Sequence, residues 1–302
     1  MQKNLPSVTG GAVARLGLVG DLHGAFDPVD AALLDAQGYD RIVFVGDLGP
    51  GTLDADRKVA RALARLRTPI LVMPGNNDCA HAPVLRAELG HQSGLAALLR
   101  ESGATHRTPL LAASADVTWC GYGRHRVAVG AGAVTLVSAR PYAMGGGDLS
   151  FPDDLLARYG IASMAASCER LCALVDAVDT PSVVFLGHNG PTGLGAERDA
   201  LWGNDFASEA SDHGDPDLRA AIERARARGL RVLGVIAGHM HHRLRGGGAR
   251  RWLERRDDAL FVNPACVPRV VSHARGVRRH HVELLLSEQR LEARELWLDD
   301  DA

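Results

Sequence analysis

Apolar runs that end in glycine recur along the first hundred residues, and each is followed by a stretch with helical spacing. Arg15–Gly20 reads as a buried strand. Pro28–Gln37 places Val29, Ala32, Leu33 and Ala36 at helical intervals and stops at Gly38, a C-cap residue. Arg41–Gly46 (RIVFVG) predicts a second strand, Leu53–Leu66 an amphipathic helix and Pro69–Gly75 a third strand. Val84–Leu99 carries leucines at helical spacing. This βαβαβα rhythm predicts parallel strands covered by helices. Residues 103–150 are less regular, with short β-like pieces, among them Ala133–Ser138. Leu155–Asp176 predicts one helix, Ser182–Gly187 a strand, Pro216–Arg228 a helix and Arg231–Gly238 a strand. Asp217 near the start of that helix and Arg224, Arg226 and Arg228 near its end suit the helix dipole. Beyond residue 250 the pattern turns strand-rich, at Ala259–Asn263, Arg269–Ser272, Val282–Leu286 and Leu291–Leu298.

These elements predict a single α/β unit over residues 1–302. The polar, Gly-rich segment 190–215, which holds Trp202, Asp212, His213 and Asp215, is an insertion, either a lid or a solvated surface loop. A separate C-terminal β subdomain from about residue 250 also fits the pattern. Apolar residues make up 46% and charged residues 23%, the balance of an ordinary globular protein. A net charge of 34 − 36 = −2 gives no general pull toward nucleic acid or anionic membrane. The basic run RLRGGGARRWLERR (243–256) could be a nucleic-acid patch, but Glu254, Asp257 and Asp258 dilute it, and a solvated hairpin is the expectation. Five cysteines, an odd number without C-x-x-C spacing, argue for a reducing, cytoplasmic setting and against structural zinc. Cys168 and Cys172, four apart on one predicted helix, read as core thiols. No run approaches the roughly 18 apolar residues of a membrane helix, and the first residues have no signal-peptide core.

The chemistry sits at the ends of the apolar runs. LGLVG runs into Asp21, RIVFVG into Asp47, ILVMPG into Asn76, VVFLG into His188 and VLGVIAG into His239. His23 and His241 follow two positions after Asp21 and His239. In α/β sheets, sites form beyond the carboxyl ends of the strands, so these residues should converge on one edge. Carboxylate, imidazole and carboxamide ligands without thiolate suit Mn²⁺, Fe²⁺ or Zn²⁺. Seven ligands exceed one tetrahedral ion and fit two ions sharing a carboxylate, an arrangement that clamps phosphoryl oxygens.

The ordered blocks GDLH (20–23), GD (46–47), GNND (75–78), GH (187–188) and GHMH (238–241) resemble those of the calcineurin-like metallophosphoesterases. The resemblance spans roughly residues 15–270. VNPACVPR (262–269) is similar to the NPGS-x-x-PR stretch of the smaller phosphodiesterase-like members, with Ala265 and Cys266 in place of Gly-Ser. It implies a four-layer αββα sandwich and a small-molecule phosphoester substrate. It also implies that Asp21, His23 and His241 hold one metal, that Asn76, His188 and His239 hold the other, and that Asp47 bridges them. A hydroxide between the ions would then attack phosphorus in line. Where the family has GNH followed by Asp or Glu, this chain has Asn77 and Asp78. Asn77 can donate a hydrogen bond to a phosphate oxygen but cannot protonate a leaving group. Diesters and esters with low-pKa leaving groups are therefore expected over alkyl monoesters. His81 is a candidate substitute acid.

Arg140, in SARPY, could grip a phosphate or lie solvated on the surface. Asn189 reads as a plain turn residue before Gly190-Pro191, and His242 as a supporting or surface histidine. The triplets Gly145–Gly147 and Gly246–Gly248 lack the Lys-Ser/Thr of a phosphate loop. Two other functions fit less well. One is a scaffold that works through its surface, as the retromer subunit of this fold does, though it would have no need of a complete ligand set. The other is a nuclease, which would require a strongly basic face.

Overall fold

A computed structural model describes residues 13–50, 53–79, 82–90, 92, 94, 95, 98, 99, 117–274 and 276–300. The strands of the N-terminal half are β1 (Ala14–Val19), β2 (Arg41–Phe44), β3 (Ile70–Val72), β4 (Val117–Trp119), β5 (Gly123–Val129) and β6 (Gly132–Ser138). Those of the C-terminal half are β7 (Ser182–Leu186), β8 (Arg231–Ile236), β9 (Leu253–Arg256), β10 (Ala259–Val262), β11 (Val270–His273), β12 (Gly276–Leu286) and β13 (Leu291–Asp299). They form two sheets. One has the order β11-β12-β1-β2-β3-β4 with β13 also on β12, and the other has the order β5-β6-β7-β8-β10-β9.

Alternation along the strands sorts side chains into layers. Leu16, Leu18, Val43 and Leu71 of the first sheet and Leu136, Val184, Leu186 and Leu260 of the second share one core between the sheets. On the other side of the first sheet, Val19, Ile42, Phe44 and Val72 pack against α1 (Pro28–Ala36) and α2 (Leu53–Leu63) through Ala31, Leu34, Val59 and Leu63. Three short or single-layer helices follow in the chain, namely α3 (Asn76–Cys79), α4 (Ala82–Leu89) and α5 (Pro152–Tyr159). On the outer face of the second sheet, α6 (Met164–Asp176) and α7 (Pro216–Ala227) bury Leu171, Val175, Leu218 and Ile222 against Val183, Phe185 and Val235. The result is the four-layer αββα sandwich. Phe44 is fully buried, and truncating such a phenylalanine to alanine costs about 3–5 kcal/mol.

Register aligns the strand ends. Val19 pairs with Phe44 and Phe44 with Val72 in the first sheet, and Leu186 pairs with Ile236 in the second. The residues just beyond, Asp21, Asp47, Asn76, His188 and His239, are thereby brought to one edge. The chain after residue 250 completes both sheets, β10 beside β8 and β12 antiparallel to β1. Among the described residues no helix is long and apolar enough to cross a membrane.

Several expectations are corrected. Leu155–Asp176 is two helices, because Gly160 turns left-handed (φ 71°) and Ser163 caps the second by accepting from the Ala166 N–H. The segment 190–215 is not solvated throughout, since Leu194, Ala200, Leu201 and Trp202 enter the core. Cys168 and Cys172 are half-buried rather than core thiols. The run 243–256 is mostly exposed and hairpin-like as expected, with Arg243 bridged to Ala249 and β9 antiparallel to β10, but Arg250 departs from it, buried and donating to the carbonyls of Ala200, Gly203 and His241. Val84–Leu99 begins as α4, and its last third lies only partly within the described residues.

Candidate metal centre

Asp21 and His23 follow β1, Asp47 follows β2, Asn76 opens α3 after β3, His188 follows β7, and His239 and His241 follow β8. Their donor atoms form two groups. One ligand atom each from Asp21, His23 and His241 lie within 4.8 Å of one another, and so do those of Asp47, His188 and His239. Asp47 spans the two, with Oδ1 3.5 Å from His188 Nε2 and Oδ2 3.7 Å from His23 Nε2. Asn76 Oδ1 lies 2.9 Å from His188 Nε2, at the second group.

The backbone bends to achieve this. His23, Asp47 and His239 have positive φ (43°, 49° and 67°), a region costly for side-chain-bearing residues and concentrated at functional sites. The glycines before the ligands are steric necessities. A Cβ on Gly75 would stand 2.3 Å from Asp47 Oδ1 and 2.7 Å from His188 Cε1, and one on Gly238 would stand 2.3 Å from Asp21 Oδ1.

The donor set fits a pair of cations. His188 Nδ1 lies 2.6 Å from the Val45 carbonyl, so it carries the proton and Nε2 keeps its lone pair. That lone pair faces Asn76 Oδ1 at 2.9 Å, His239 Nδ1 at 3.2 Å and Asp47 Oδ1 at 3.5 Å. His23 Nε2 and His241 Nε2 face each other at 3.0 Å. Buried imidazole, carboxylate and carboxamide donors gathered in this way favour positive charge among them. Burial would raise the Asp21 pKa, but the His241 hydrogen bond and the imidazoles of His188, His241 and His23 in their protonated forms outweigh it and hold the carboxyl well below its usual range. Burial, reinforced by His188, pushes the His239 pKa well below the ordinary value, which keeps the ring neutral.

The loops behind the ligands are braced. Asp78 is buried and accepts from the Gly75 and Leu48 N–H groups at 2.8 and 3.0 Å, tying the β2 and β3 loops together. It is not among the cleft-lining residues. Burial and then the nearby Asp47 push its pKa up to about 7. Asn77 does line the cleft, and it holds Asp47 from both backbone N (2.8 Å) and Nδ2 (3.0 Å). Trp202 Nε1 donates to the Gly238 carbonyl and Asn263 Nδ2 to the Met240 carbonyl, so both hold the 238–241 turn.

Arg140 is neither a phosphate grip nor a surface residue. It is 1% exposed and donates to Asp215 Oδ1 (2.8 Å) and Asp217 Oδ2 (2.9 Å). Burial opposes its charge, and the two carboxylates more than restore it. Asn189, expected as a plain turn residue, is fully buried and donates to the His213 carbonyl at 3.0 Å. His242 points away to the Asn263 carbonyl. His81 lies outside the described residues.

The centre floors a cleft of about 620 Å³. Its walls include the apolar Leu85, Leu89, Met144 and Leu149 together with Phe206, His213, Arg243 and Arg245. None of these wall residues stands at a strand end, so the pattern that located the ligands gave no signal for them. Asn263 did carry that signal, directly after β10.

No protein-family profile matches the chain, and no curated protein matches it. Solved structures do. One superposes with a TM-score of 0.53 at 13% identity, over 94% of this chain and 99% of its own. A Thermus thermophilus protein matches at 15% identity over 93% and 98% of the two chains, with a TM-score of 0.49. A dimetal phosphatase from Danio rerio matches at 12% identity over 93% and 98%, with a TM-score of 0.48. At such identities the likeness concerns the fold alone, and the first of these carries it.

Proposed function

We propose that this chain is a phosphoric ester hydrolase that works with two divalent metal ions, Mn²⁺ in first place and Fe²⁺ or Zn²⁺ as alternatives. The observation that carries the reading is Asp47, which presents one oxygen to each of two donor groups on the floor of one cleft. Asp21, His23 and His241 would hold one ion, Asn76, His188 and His239 the other, with Asp47 between them. When bound, the pair supplies a nucleophilic water near neutral pH and neutralises charge on the phosphoryl oxygens.

The chain's own residues set the rest. Val45 fixes the His188 tautomer, and Asn77 orients the shared carboxylate. Asn77 lines the cleft where a phosphate oxygen would sit, yet it has no proton to give near pH 7. General acid help is worth about 10²–10⁴ in rate, and without it from this residue the leaving group departs as an anion. Small-molecule diesters and activated esters are therefore the preferred substrates, and alkyl monoesters poor ones. The 190–215 segment, which contributes Asp205, Phe206 and His213 to the cleft wall, acts as the lid. The five free cysteines fit a cytoplasmic setting.

The test is hydrolysis of bis-p-nitrophenyl phosphate beside p-nitrophenyl phosphate by metal-stripped protein, before and after Mn²⁺ is added. Turnover only with metal, and faster on the diester, is expected. Absence of turnover with Mn²⁺, Fe²⁺ and Zn²⁺ alike would sink the hydrolase reading.

A further inference from the structure

We propose that the loop 204–213 builds a second subsite in this cleft, an aromatic shelf of Phe206 and His213 beside Arg245, which takes a planar ring carried by the substrate close to its phosphate. The inference rests on the reading of the cleft as a phosphoester site.

Phe206 is 45% exposed and lines the same cleft as His23, Asp47, His239 and His241. An aromatic side chain left half open at a cleft wall gains its apolar contribution only when something covers it. The loop that presents it is built for position. Asn204 Oδ1 accepts from the Phe206 and Ala207 N–H groups at 2.9 and 3.0 Å. Arg198 donates to the carbonyls of Asp205, Ala207 and Ser208. The Asp205 carboxylate joins this loop to the next, accepting from the Arg245 N–H (2.8 Å) and from buried Arg250 (3.1 Å).

The ring's neighbours suit the same ligand. His213 meets it edge-on at 5.0 Å and 83°, and is itself held by Asn189 and Gly146, which donate to its carbonyl. The Arg245 guanidinium lies over the Phe206 ring, 5.7 Å from its centroid, so it adds positive charge on one face of the shelf and the half-exposed ring has its other face for a ligand. A ring stacking on such a surface, with an anionic phosphate at the metal donors, engages both ends of the cleft. Stacking of a planar ring on an aromatic side chain is worth roughly 5- to 150-fold in affinity.

The test uses phosphonates, which share the phosphate-like head and are not hydrolysed. Binding of methyl-, phenyl-, benzyl- and 2-phenylethylphosphonate to the Mn²⁺-loaded full chain is measured by calorimetry, for wild type, Phe206→Ala and Phe206→Trp. At least one aryl compound should bind tenfold or more tighter than the methyl compound. That ratio should fall toward one in Phe206→Ala and persist in Phe206→Trp, with matching thermal unfolding as the control for folding. Equal binding of all four by wild type, binding of none, or a ratio that survives Phe206→Ala overturns the shelf. The two readings fail separately. Aryl preference without hydrolysis of any ester removes the hydrolase reading and keeps the shelf. Metal-dependent hydrolysis without aryl preference does the reverse.

Discussion

The amide Nδ2 of Asn77 lies 3.0 Å from Asp47 Oδ2 while its backbone nitrogen lies 2.8 Å from Asp47 Oδ1. One residue thus grips both oxygens of the carboxylate placed between the two donor groups. Asn77→Ala removes the side-chain half of that grip. Loss of a hydrogen bond that orients a ligating carboxylate typically costs about 10–100-fold in metal affinity. Titration of metal-stripped protein with Mn²⁺, followed by calorimetry, should show a loss of that size, and unchanged affinity would refute the role. Asn77→His should shift the ratio of diester to monoester turnover toward the monoester, because the imidazole restores a titratable proton. A ratio that stays put would mean the leaving-group proton comes from elsewhere.

Gly75 has no room for a methyl group. Its Cβ would stand 2.4 Å from Asp47 N as well as 2.3 Å from Asp47 Oδ1. Gly75→Ala should leave far-UV circular dichroism intact but reduce bound metal per chain, measured by elemental analysis after dialysis. Full metal content in this variant would mean that the β3 loop yields more readily than its packing implies.

Arg140 links β6 to the start of α7 through Asp215 and Asp217, all three buried. Removing one partner of a buried ion pair leaves uncompensated charge and costs about 3–5 kcal/mol. Arg140→Met should lose stability on that scale in urea unfolding, while turnover per folded molecule stays near wild type. A large loss of turnover with stability kept would restore the phosphate-gripping role that the sequence suggested.

His281 is buried on β12 with Nε2 2.7 Å from the Tyr39 hydroxyl. Burial, then His280, Arg269 and Arg294, lower its pKa to about 3. In the unfolded chain the ring takes a proton near its ordinary value of 6.5. Its neutral form therefore supports the fold fully above that value, and the support is lost as pH falls from there toward about 3. The slope is about 1.4 kcal/mol per pH unit, so the drop from pH 6.5 to 5 approaches 2 kcal/mol. Urea unfolding at pH 7.5 and 5.0 should show a smaller pH difference for His281→Phe than for wild type. Equal differences would assign the acid sensitivity to other groups.

The reach of the sequence follows from what kind of signal each residue carries. Asp21, Asp47, Asn76, His188 and His239 were legible because a strand end is set by local pattern and parallel register then aligns the ends without further information. Arg140 was misread for the opposite reason. It also follows a strand, but its partners Asp215 and Asp217 come from more than seventy positions away, and no local pattern marks that pairing. The break at Gly160 and Ser163 was written in the sequence as a C-cap and N-cap, and apolar spacing on both sides hid it. The cleft wall at Phe206, His213 and Arg245 depends on two loops meeting, joined through Asp205, and loop conformation has no period to read.

β1 delivers Asp21 to the centre, and its antiparallel neighbour is β12, with Arg15 and Glu283 paired across a separation of 268 residues. During synthesis the first strand therefore waits for nearly the entire chain before its open side is covered. Contacts that span so much sequence form slowly and leave strand edges exposed meanwhile. A nascent or truncated chain that stops before β12 would present β1 as a bare apolar edge, a target for chaperones and proteases. The strand that carries Asp21 would thus be covered only after the last of the clustered donors, His241, has been made.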